Sequence, residues 1–174
     1  MISLLENKAK EFATFYHKGQ KRKYTDEPYI NHPRNVAILV KSVPHTDEMV
    51  AAAWLHDVLE DTNATYEIIF RHLGEDVAKI VSMLTDVSSY NDGNRKIRKE
   101  IDRLHISKAS PEAKTIKLAD LIDNTKSIVK YDKDFSFVYL DEVRLLIEVL
   151  EEGDVFLYDE LKKILDNNLY LLSK

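Results

Sequence analysis

The sequence contains no cysteine, which excludes disulfides, thiolate nucleophiles and thiolate zinc sites together. Glycine and proline number only four each in 174 residues, less than half of the usual combined share of about 12%. So few turn residues disfavour a β-sandwich, a β-barrel or a low-complexity tail. The first residues lack the basic prelude of a signal peptide, and no apolar run approaches the roughly 18 residues of a membrane span. We therefore expect a soluble, cytoplasmic protein.

The charge balance limits the kinds of partner that the chain can bind. It has 25 basic and 30 acidic side chains, which give a formal net charge of −5. An acidic chain of this kind is poorly suited to coating a nucleic-acid duplex, although it can still hold a local basic pocket. The 44% hydrophobic and 32% charged residues suit a globule of amphipathic helices.

Apolar residues recur at helical spacing along most of the chain, and no period-two stretch of useful length interrupts them. Capping residues mark the starts of successive helices, with Asn31 as a cap ahead of Pro33 and Ser110 as a cap ahead of Pro111. The sequence shows no internal repeat and no linker. It therefore predicts an all-α fold in a single domain spanning residues 1–174.

One predicted helix carries polar groups in an apolar setting. Residues 49–59 are apolar nearly all round, which is typical of a buried helix, yet His56 and Asp57 lie side by side within it. Glu60 and Asp61 follow at i+4 from this pair and hence on the same faces. Burying a carboxylate without a counter-charge is costly, so this cluster needs a cation. A divalent metal ion and a buried ion pair with a hydrogen-bonded histidine both meet that need.

Two further positions favour the metal interpretation. Asp120 follows apolar neighbours on a stripe that should face the core, with Asn124 one turn beyond it. His32 lies at the start of another predicted helix. Taken singly, Asp120 is also explained as an exposed or capping residue, and His32 as a structural hydrogen-bonding residue.

Together these residues form a donor set of nitrogen and oxygen atoms, with two histidines and two aspartates from three helices. Such a set suits manganese, iron or cobalt in roughly octahedral geometry, and zinc less well. A bound ion of this kind lowers the pKa of its water to about 7. Glu60 or Asp61, one turn from the ligands, is then placed to handle protons or to orient that water.

A basic stretch precedes His32 in the chain. The segment from Lys18 to Lys23 carries four cations, Arg22 among them, in a chain of net negative charge. These side chains could neutralise a pyrophosphate, and arginine is suited to two-pronged contacts with it. The alternative is an ordinary solvated loop.

Taken in order, these motifs resemble the HD-domain metal phosphohydrolases. More narrowly, they are similar to the hydrolase domain of RelA/SpoT-type enzymes and above all to the stand-alone small alarmone hydrolases. The resemblance extends from about Phe12 to Tyr139, most of the chain. The matching motifs are Arg22-Lys23-Tyr24, Glu27-Pro28-Tyr29-Ile30-Asn31-His32-Pro33, His56-Asp57-x-x-Glu60-Asp61-Thr62, and Lys117-Leu118-Ala119-Asp120 with Asn124.

The resemblance implies a fold, a reaction and roles for individual residues. The implied fold is a helical HD-domain bundle with a metal site between helices, usually for manganese. The implied reaction removes the 3′-pyrophosphate of the nucleotide ppGpp or pppGpp and leaves GDP or GTP. The matching residues are His32, His56, Asp57 and Asp120 as metal ligands, Glu60 and Asp61 as the acidic pair that activates water, Arg22 and Lys23 beside the nucleotide, Asn124 at the ribose, and Tyr139 near the base.

Two positions depart from the pattern of the long enzymes of this family. Those enzymes have a basic residue, and then an aromatic residue or histidine, where this chain has Leu121 and Asp123. A carboxylate that faced the pocket would repel phosphate, so the alternative function is a phosphohydrolase acting on another nucleotide, such as a nucleoside monophosphate or NADPH. A third hypothesis is a nucleotide-binding module with a vestigial metal site, against which the intact Glu60 and Asp61 argue.

The last predicted helix has an apolar face with two explanations. Its residues either close the core or form the interface of a homodimer, and the sequence does not separate the two. The residues are Leu161, Ile164, Leu165, Leu169 and Leu171.

Overall fold

The structure, a computed structural model, describes residues 2–172, and within this range the regular elements are helices and one isolated β-bridge between Lys21 and Pro28. The predicted all-α fold is confirmed. In the same range, no helix combines the length and the apolar character that a membrane crossing requires. The helices are α1 (Leu4–Tyr16), α2 (Asn31–Lys41), α3 (Asp47–Leu55), α4 (Val58–Asp61), α5 (Tyr66–Leu73), α6 (Glu75–Leu84), α7 (Arg95–Ile106), α8 (Pro111–Tyr131), α9 (Lys133–Ile147) and α10 (Val155–Leu172), with a 3₁₀ turn at Tyr90–Asp92.

The chain divides into two compact units, Met1–Thr85 and Asp86–Lys174. In the first unit, α3 packs against α1, α2 and α6, and all of its residues from Met49 to Leu55 are buried. This burial follows from the sequence, because α3 is apolar nearly all round and has no face suited to water. The single domain over residues 1–174 stays a prediction.

The predicted continuous helix through His56 is interrupted. α3 ends at Leu55 and α4 begins at Val58, with Asp57 at φ −100° and ψ −3° between them. The Asp61 N–H still donates to the Asp57 carbonyl at 2.9 Å, so one helical hydrogen bond spans the junction. His56 and Asp57 therefore lie at a bend between two helices rather than within one regular helix.

The start of α2 also differs from the prediction. Asn31 is the first residue of α2 and not its cap, and the capping position is taken by Ile30. The N–H groups of Asn31 and His32 donate to the carbonyls of Pro28 and Tyr29 at 3.1 and 2.9 Å, respectively. The preceding turn thus supplies the acceptors that a capping side chain would otherwise provide.

In the second unit, α8 packs against α9 and α10. α8 begins at Pro111, and the Ser110 hydroxyl accepts a hydrogen bond from the Ala113 N–H at 3.4 Å, as predicted. Gly153, between α9 and α10, lies so close to α8 that a Cβ there would come within 2.8 Å of Leu118 Cδ1.

The final helix contributes to the core of the second unit. Leu161 and Leu165 of α10 are buried, whereas Ile164 and Leu169 are half-buried. The side chain of Leu171 lies outside the described residues. The buried pair accounts for much of the apolar face of α10, and a homodimer through this helix stays a prediction.

Candidate metal centre

Three of the predicted metal ligands converge in the first unit. His32 lies in the first turn of α2, and His56 and Asp57 lie at the α3–α4 junction. The Nε2 atoms of His32 and His56 are 3.1 Å apart. Asp57 Oδ2 lies 3.0 Å from His56 Nε2 and 3.5 Å from His32 Nε2. Two nitrogen donors and one oxygen donor therefore point at one another, although their residues are up to 25 positions apart in the sequence.

The protonation pattern of His56 suits a metal ligand. His56 Nδ1 lies 2.9 Å from the Ala53 carbonyl oxygen, which can only accept, so Nδ1 carries the proton. In the neutral imidazole, Nε2 then presents its lone pair toward His32 and Asp57. The two histidines are 1% and 3% exposed, so their imidazoles are shielded from bulk solvent. A nitrogen and oxygen donor set without thiolate fits manganese, iron or cobalt.

Tyr29 is a functional candidate that the sequence analysis did not single out. Its hydroxyl donates to Asp57 Oδ2 at 2.5 Å. The Tyr29 ring lies between two histidine rings, with centroid distances of 4.8 Å to His17 and 5.9 Å to His32. Metal-ligating carboxylates are commonly hydrogen-bonded by a neighbouring side chain. The sequence did contain a signal for this role, because Tyr29 is an aromatic residue with a hydroxyl and precedes the candidate ligand His32 by three residues.

The acidic pair Glu60 and Asp61 lies on α4, and both residues are exposed. Although Asp61 as a whole residue is exposed, its carboxyl is partly shielded from water. This partial desolvation, followed by the charge of Asp57, raises the pKa of the Asp61 carboxyl above its ordinary value. The Tyr29 hydroxyl, His17 and His56 act in the opposite direction. A raised pKa makes the carboxylate a stronger base, which suits a group that accepts a proton from water.

The raised pKa predicts the effect of Asp61→Asn on the metal-free protein. A carboxyl whose pKa is higher in the folded than in the unfolded chain weakens the fold as the pH rises through that pKa. The variant should therefore have a higher thermal midpoint than the parent at pH 7. The gain should shrink as the pH falls toward the ordinary pKa of 3.8. Asp166→Asn, at an exposed position of α10, is the matched control. A lower midpoint for Asp61→Asn at pH 7 would contradict this electrostatic assignment.

Asp120, the fourth predicted ligand, belongs to the second unit and is 4% exposed on α8. Its Oδ2 lies 2.9 Å from Lys117 Nζ, and its Oδ1 accepts a hydrogen bond from Asn124 Nδ2 at 2.6 Å. The predicted core-facing position is confirmed, and the exposed or capping alternative is wrong. Within this unit, Lys117 supplies a cation for the buried carboxylate. A role for Asp120 as a metal ligand, and for Asn124 at the ribose, stays a prediction.

The other predicted contact residues of α8 and α9 also lie in the second unit. Tyr139 is buried, its hydroxyl lies 3.4 Å from Thr125 Oγ1, and burial raises its pKa. Leu121 is buried and Asp123 is half-buried. Leu121 therefore serves packing within this unit. A contact of Tyr139 with a nucleotide base stays a prediction.

The basic stretch forms an ordered turn between α1 and α2. The Arg22 N–H donates to the Glu27 carbonyl at 2.8 Å, next to the β-bridge between Lys21 and Pro28. Lys21 pairs with Asp26 at 2.8 Å, and Lys23 Nζ donates to the Tyr24 hydroxyl at 3.1 Å. The backbone of this turn is thus fixed by hydrogen bonds. Contacts of Arg22 and Lys23 with a nucleotide stay a prediction.

Comparison with known proteins gives a family and named relatives. Residues 9–134 match the family model described as HD domain. The chain is 42% identical over 121 residues to guanosine-3′,5′-bis(diphosphate) 3′-pyrophosphohydrolase MESH1 of Drosophila melanogaster, covering 68% of this chain and 66% of that one. It is 39% identical over 121 residues to the guanosine-3′,5′-bis(diphosphate) 3′-pyrophosphohydrolase of Aquifex aeolicus, covering 70% of this chain but only 17% of that one. The chain therefore matches a small part of the long relative and about two thirds of the short one.

A solved structure agrees with these relatives. The protein in that solved structure is a metazoan ortholog of SpoT that hydrolyses ppGpp. The two structures match with a TM-score of 0.85 and 28% sequence identity, over 95% of this chain and 96% of that one. The resemblance to HD-domain phosphohydrolases and to RelA/SpoT-type hydrolases, predicted from the motifs, is thereby confirmed. The family match covers the four candidate ligand residues and the acidic pair. This chain belongs to the HD domain family.

Proposed function

We propose that this chain is a metal-dependent hydrolase that removes the 3′-pyrophosphate of ppGpp or pppGpp and yields GDP or GTP and pyrophosphate. The observation that carries the proposal is the convergence of His32, His56 and Asp57, two of them fully buried, in a chain of the HD domain family. The names of the relatives support the choice of substrate.

The three converging residues would hold the cation, and the family resemblance adds Asp120 as a fourth ligand. The donor set suits manganese, iron or cobalt, and zinc less well, and the family resemblance favours manganese among them. When bound, such an ion supplies Lewis-acid activation of water and neutralises charge at the attacked phosphorus.

The side chains of the protein account for the remaining steps of the proposed reaction. Glu60 or Asp61 takes a proton from the attacking water, whose oxygen forms a bond to the phosphorus nearest the ribose. The bond from that phosphorus to the 3′ oxygen breaks, and the carboxyl that received the proton returns it to the departing 3′ oxygen. The products are pyrophosphate and the free 3′ hydroxyl of GDP or GTP. Arg22 and Lys23 would bind the pyrophosphate charge, with Asn124 at the ribose and Tyr139 near the base.

The direct test is hydrolysis of ppGpp by the purified protein after removal and readdition of metal. We expect turnover with added manganese, equal amounts of pyrophosphate and GDP as products, and no turnover in the presence of a chelator. Absence of turnover while manganese is demonstrably bound would refute this function.

The same assay separates the alternative substrate class. Asp123, half-buried and adjacent to Asn124, is the observation that favours another nucleotide, because a carboxylate facing phosphate would be repulsive. A panel of nucleoside monophosphates and NADPH should be hydrolysed much more slowly than ppGpp. Faster release of orthophosphate from one of these compounds would favour the alternative.

The proposal also includes a cytoplasmic location, where a nucleotide of this kind would be encountered. For the apolar face of α10, a homodimer interface is the alternative to a role in closing the core. Sedimentation of the purified protein at several concentrations measures the oligomeric state directly.

A further inference from the structure

We propose that Tyr29 is a positioning residue of the metal centre: its hydroxyl holds the Asp57 carboxylate in the orientation that metal ligation requires. The inference rests on the metal-dependent function proposed above. It adds a residue that acts on the proposed cation site through the Asp57 carboxylate.

The hydroxyl acts on the oxygen that faces the histidines. Tyr29 donates at 2.5 Å to Asp57 Oδ2, and the same Oδ2 lies 3.0 Å from His56 Nε2 and 3.5 Å from His32 Nε2. A carboxylate oxygen accepts in two lone-pair directions. One lone pair of Oδ2 accepts from the Tyr29 hydroxyl, so the second lone pair is left for a cation held by the Nε2 atoms of His32 and His56.

Asp57 needs such a restraint more than the histidines do. The two histidines are 1% and 3% exposed and are fixed by packing, whereas the Asp57 side chain is 18% exposed. Asp57 also lies at the bend between α3 and α4, outside a regular helix. Without the hydroxyl, its carboxylate would have solvent-facing rotamers within reach, and each ligation event would then cost conformational entropy.

Tyr29 is itself fixed within the first unit, in the turn between α1 and α2. Its backbone N–H donates to the Gln20 carbonyl at 3.0 Å. Its ring packs against His17, which is 3% exposed and whose Nδ1 lies 2.7 Å from Gln20 Oε1. The hydroxyl is therefore placed by contacts that need no cation, as expected for a preorganised site.

The same turn also secures the acidic pair. Gln20 Nε2 donates to the Asp61 carbonyl at 2.8 Å, so the residues that hold Tyr29 also hold α4. The backbone position of Asp61 depends on Gln20 and not on the tyrosine hydroxyl. Removal of the Tyr29 hydroxyl should therefore weaken metal binding while leaving the backbone of α4 in its position.

The test is Tyr29→Phe, which removes the hydroxyl and keeps the ring between His17 and His32. We expect the affinity for Mn²⁺, measured by calorimetric titration, to fall about 10- to 100-fold, the usual effect of losing a hydrogen bond to a metal ligand. The Mn²⁺ concentration for half-maximal ppGpp hydrolysis should rise by the same factor.

The matched control is Tyr66→Phe in α5, in the same unit. Tyr66 is half-buried, and its ring stacks on that of Phe70 with the two centroids 6.4 Å apart. It is not part of the metal cluster of His32, His56 and Asp57. This variant should bind Mn²⁺ with the parent affinity. The thermal midpoint of metal-free Tyr29→Phe should fall somewhat more than that of Tyr66→Phe, because only Tyr29 loses a hydrogen bond to a carboxylate. The helical circular dichroism of both variants should match that of the parent.

An unchanged Mn²⁺ affinity in Tyr29→Phe would overturn the inference. A weaker affinity accompanied by a loss of helical circular dichroism would also overturn it, because that result would indicate a merely structural role. Absence of Mn²⁺ binding to the parent protein would overturn it as well. If the parent protein binds Mn²⁺ but does not hydrolyse ppGpp, the proposed substrate fails, while the affinity measurement still decides the role of Tyr29.

Discussion

Asp57→Asn is expected to lower ppGpp hydrolysis by at least about 1,000-fold, because the bound cation supplies several kcal/mol of transition-state stabilisation and each 1.4 kcal/mol is worth a factor of ten. The substitution removes the one negative charge among the three converging donors while preserving the shape of the side chain. Its amide oxygen can still accept from the Tyr29 hydroxyl. Steady-state assays at several manganese concentrations measure the effect.

The loss should come from the metal centre and not from unfolding. Helical circular dichroism of Asp57→Asn should match that of the parent, and Asp166→Asn, at an exposed position of α10, should hydrolyse ppGpp at the parent rate. Activity of Asp57→Asn within tenfold of the parent would show that Asp57 is not needed as a ligand.

Asp120→Asn is the second substitution for which we expect a large effect, a loss of at least about 100-fold in hydrolysis together with weaker Mn²⁺ binding. Asp120 is buried and already paired, with Lys117 at 2.9 Å and Asn124 at 2.6 Å. These contacts alone would explain its burial. A ligand role, which the family resemblance implies, adds a dependence of metal affinity on the carboxylate.

Lys117→Met separates these two roles of Asp120. This variant removes the cation of the ion pair and leaves the carboxylate, so a ligand role predicts that Mn²⁺ binding is retained. Asp120→Asn should lower the thermal midpoint as well, because the Lys117 side chain is only 20% exposed and loses the charge of the carboxylate 2.9 Å away. A lower midpoint with unchanged Mn²⁺ affinity would assign Asp120 to the ion pair alone.

Much of the fold could be predicted because it depends on local pattern. Apolar spacing of 3.6 residues marks the helices, and Ser110 with Pro111 marks a helix start that the structure reproduces. The cluster of His32, His56 and Asp57 was predictable for a different reason. Polar groups on an otherwise apolar, buried helix need a partner, so their presence indicated one.

The bend at Asp57 was not predictable from local pattern. Residues 49–61 read as one helix because every turn offers an apolar residue at the expected spacing, and no proline or glycine interrupts the run. The bend turns Asp57 toward His32, which lies on another helix. Periodicity carries no information about such a tertiary contact.

The roles of Tyr29 and Lys117 were missed for opposite reasons. Tyr29 contacts Asp57 across 28 positions of the sequence, a pairing that only the folded turn between α1 and α2 creates. Lys117 lies three residues before Asp120 on α8, so their contact follows directly from helical spacing. The i,i+3 spacing of a lysine and an aspartate on one helix is therefore sufficient to predict this ion pair.

Equilibrium titration of the metal-free protein with Mn²⁺ tests most directly whether the buried His32–His56–Asp57 cluster is a cation site. We expect one ion to bind per chain, and we expect His56→Gln to abolish that binding while the chain stays folded. A parent protein that binds no Mn²⁺, iron, cobalt or zinc, or a His56→Gln variant that binds Mn²⁺ with the parent affinity, would contradict the assignment.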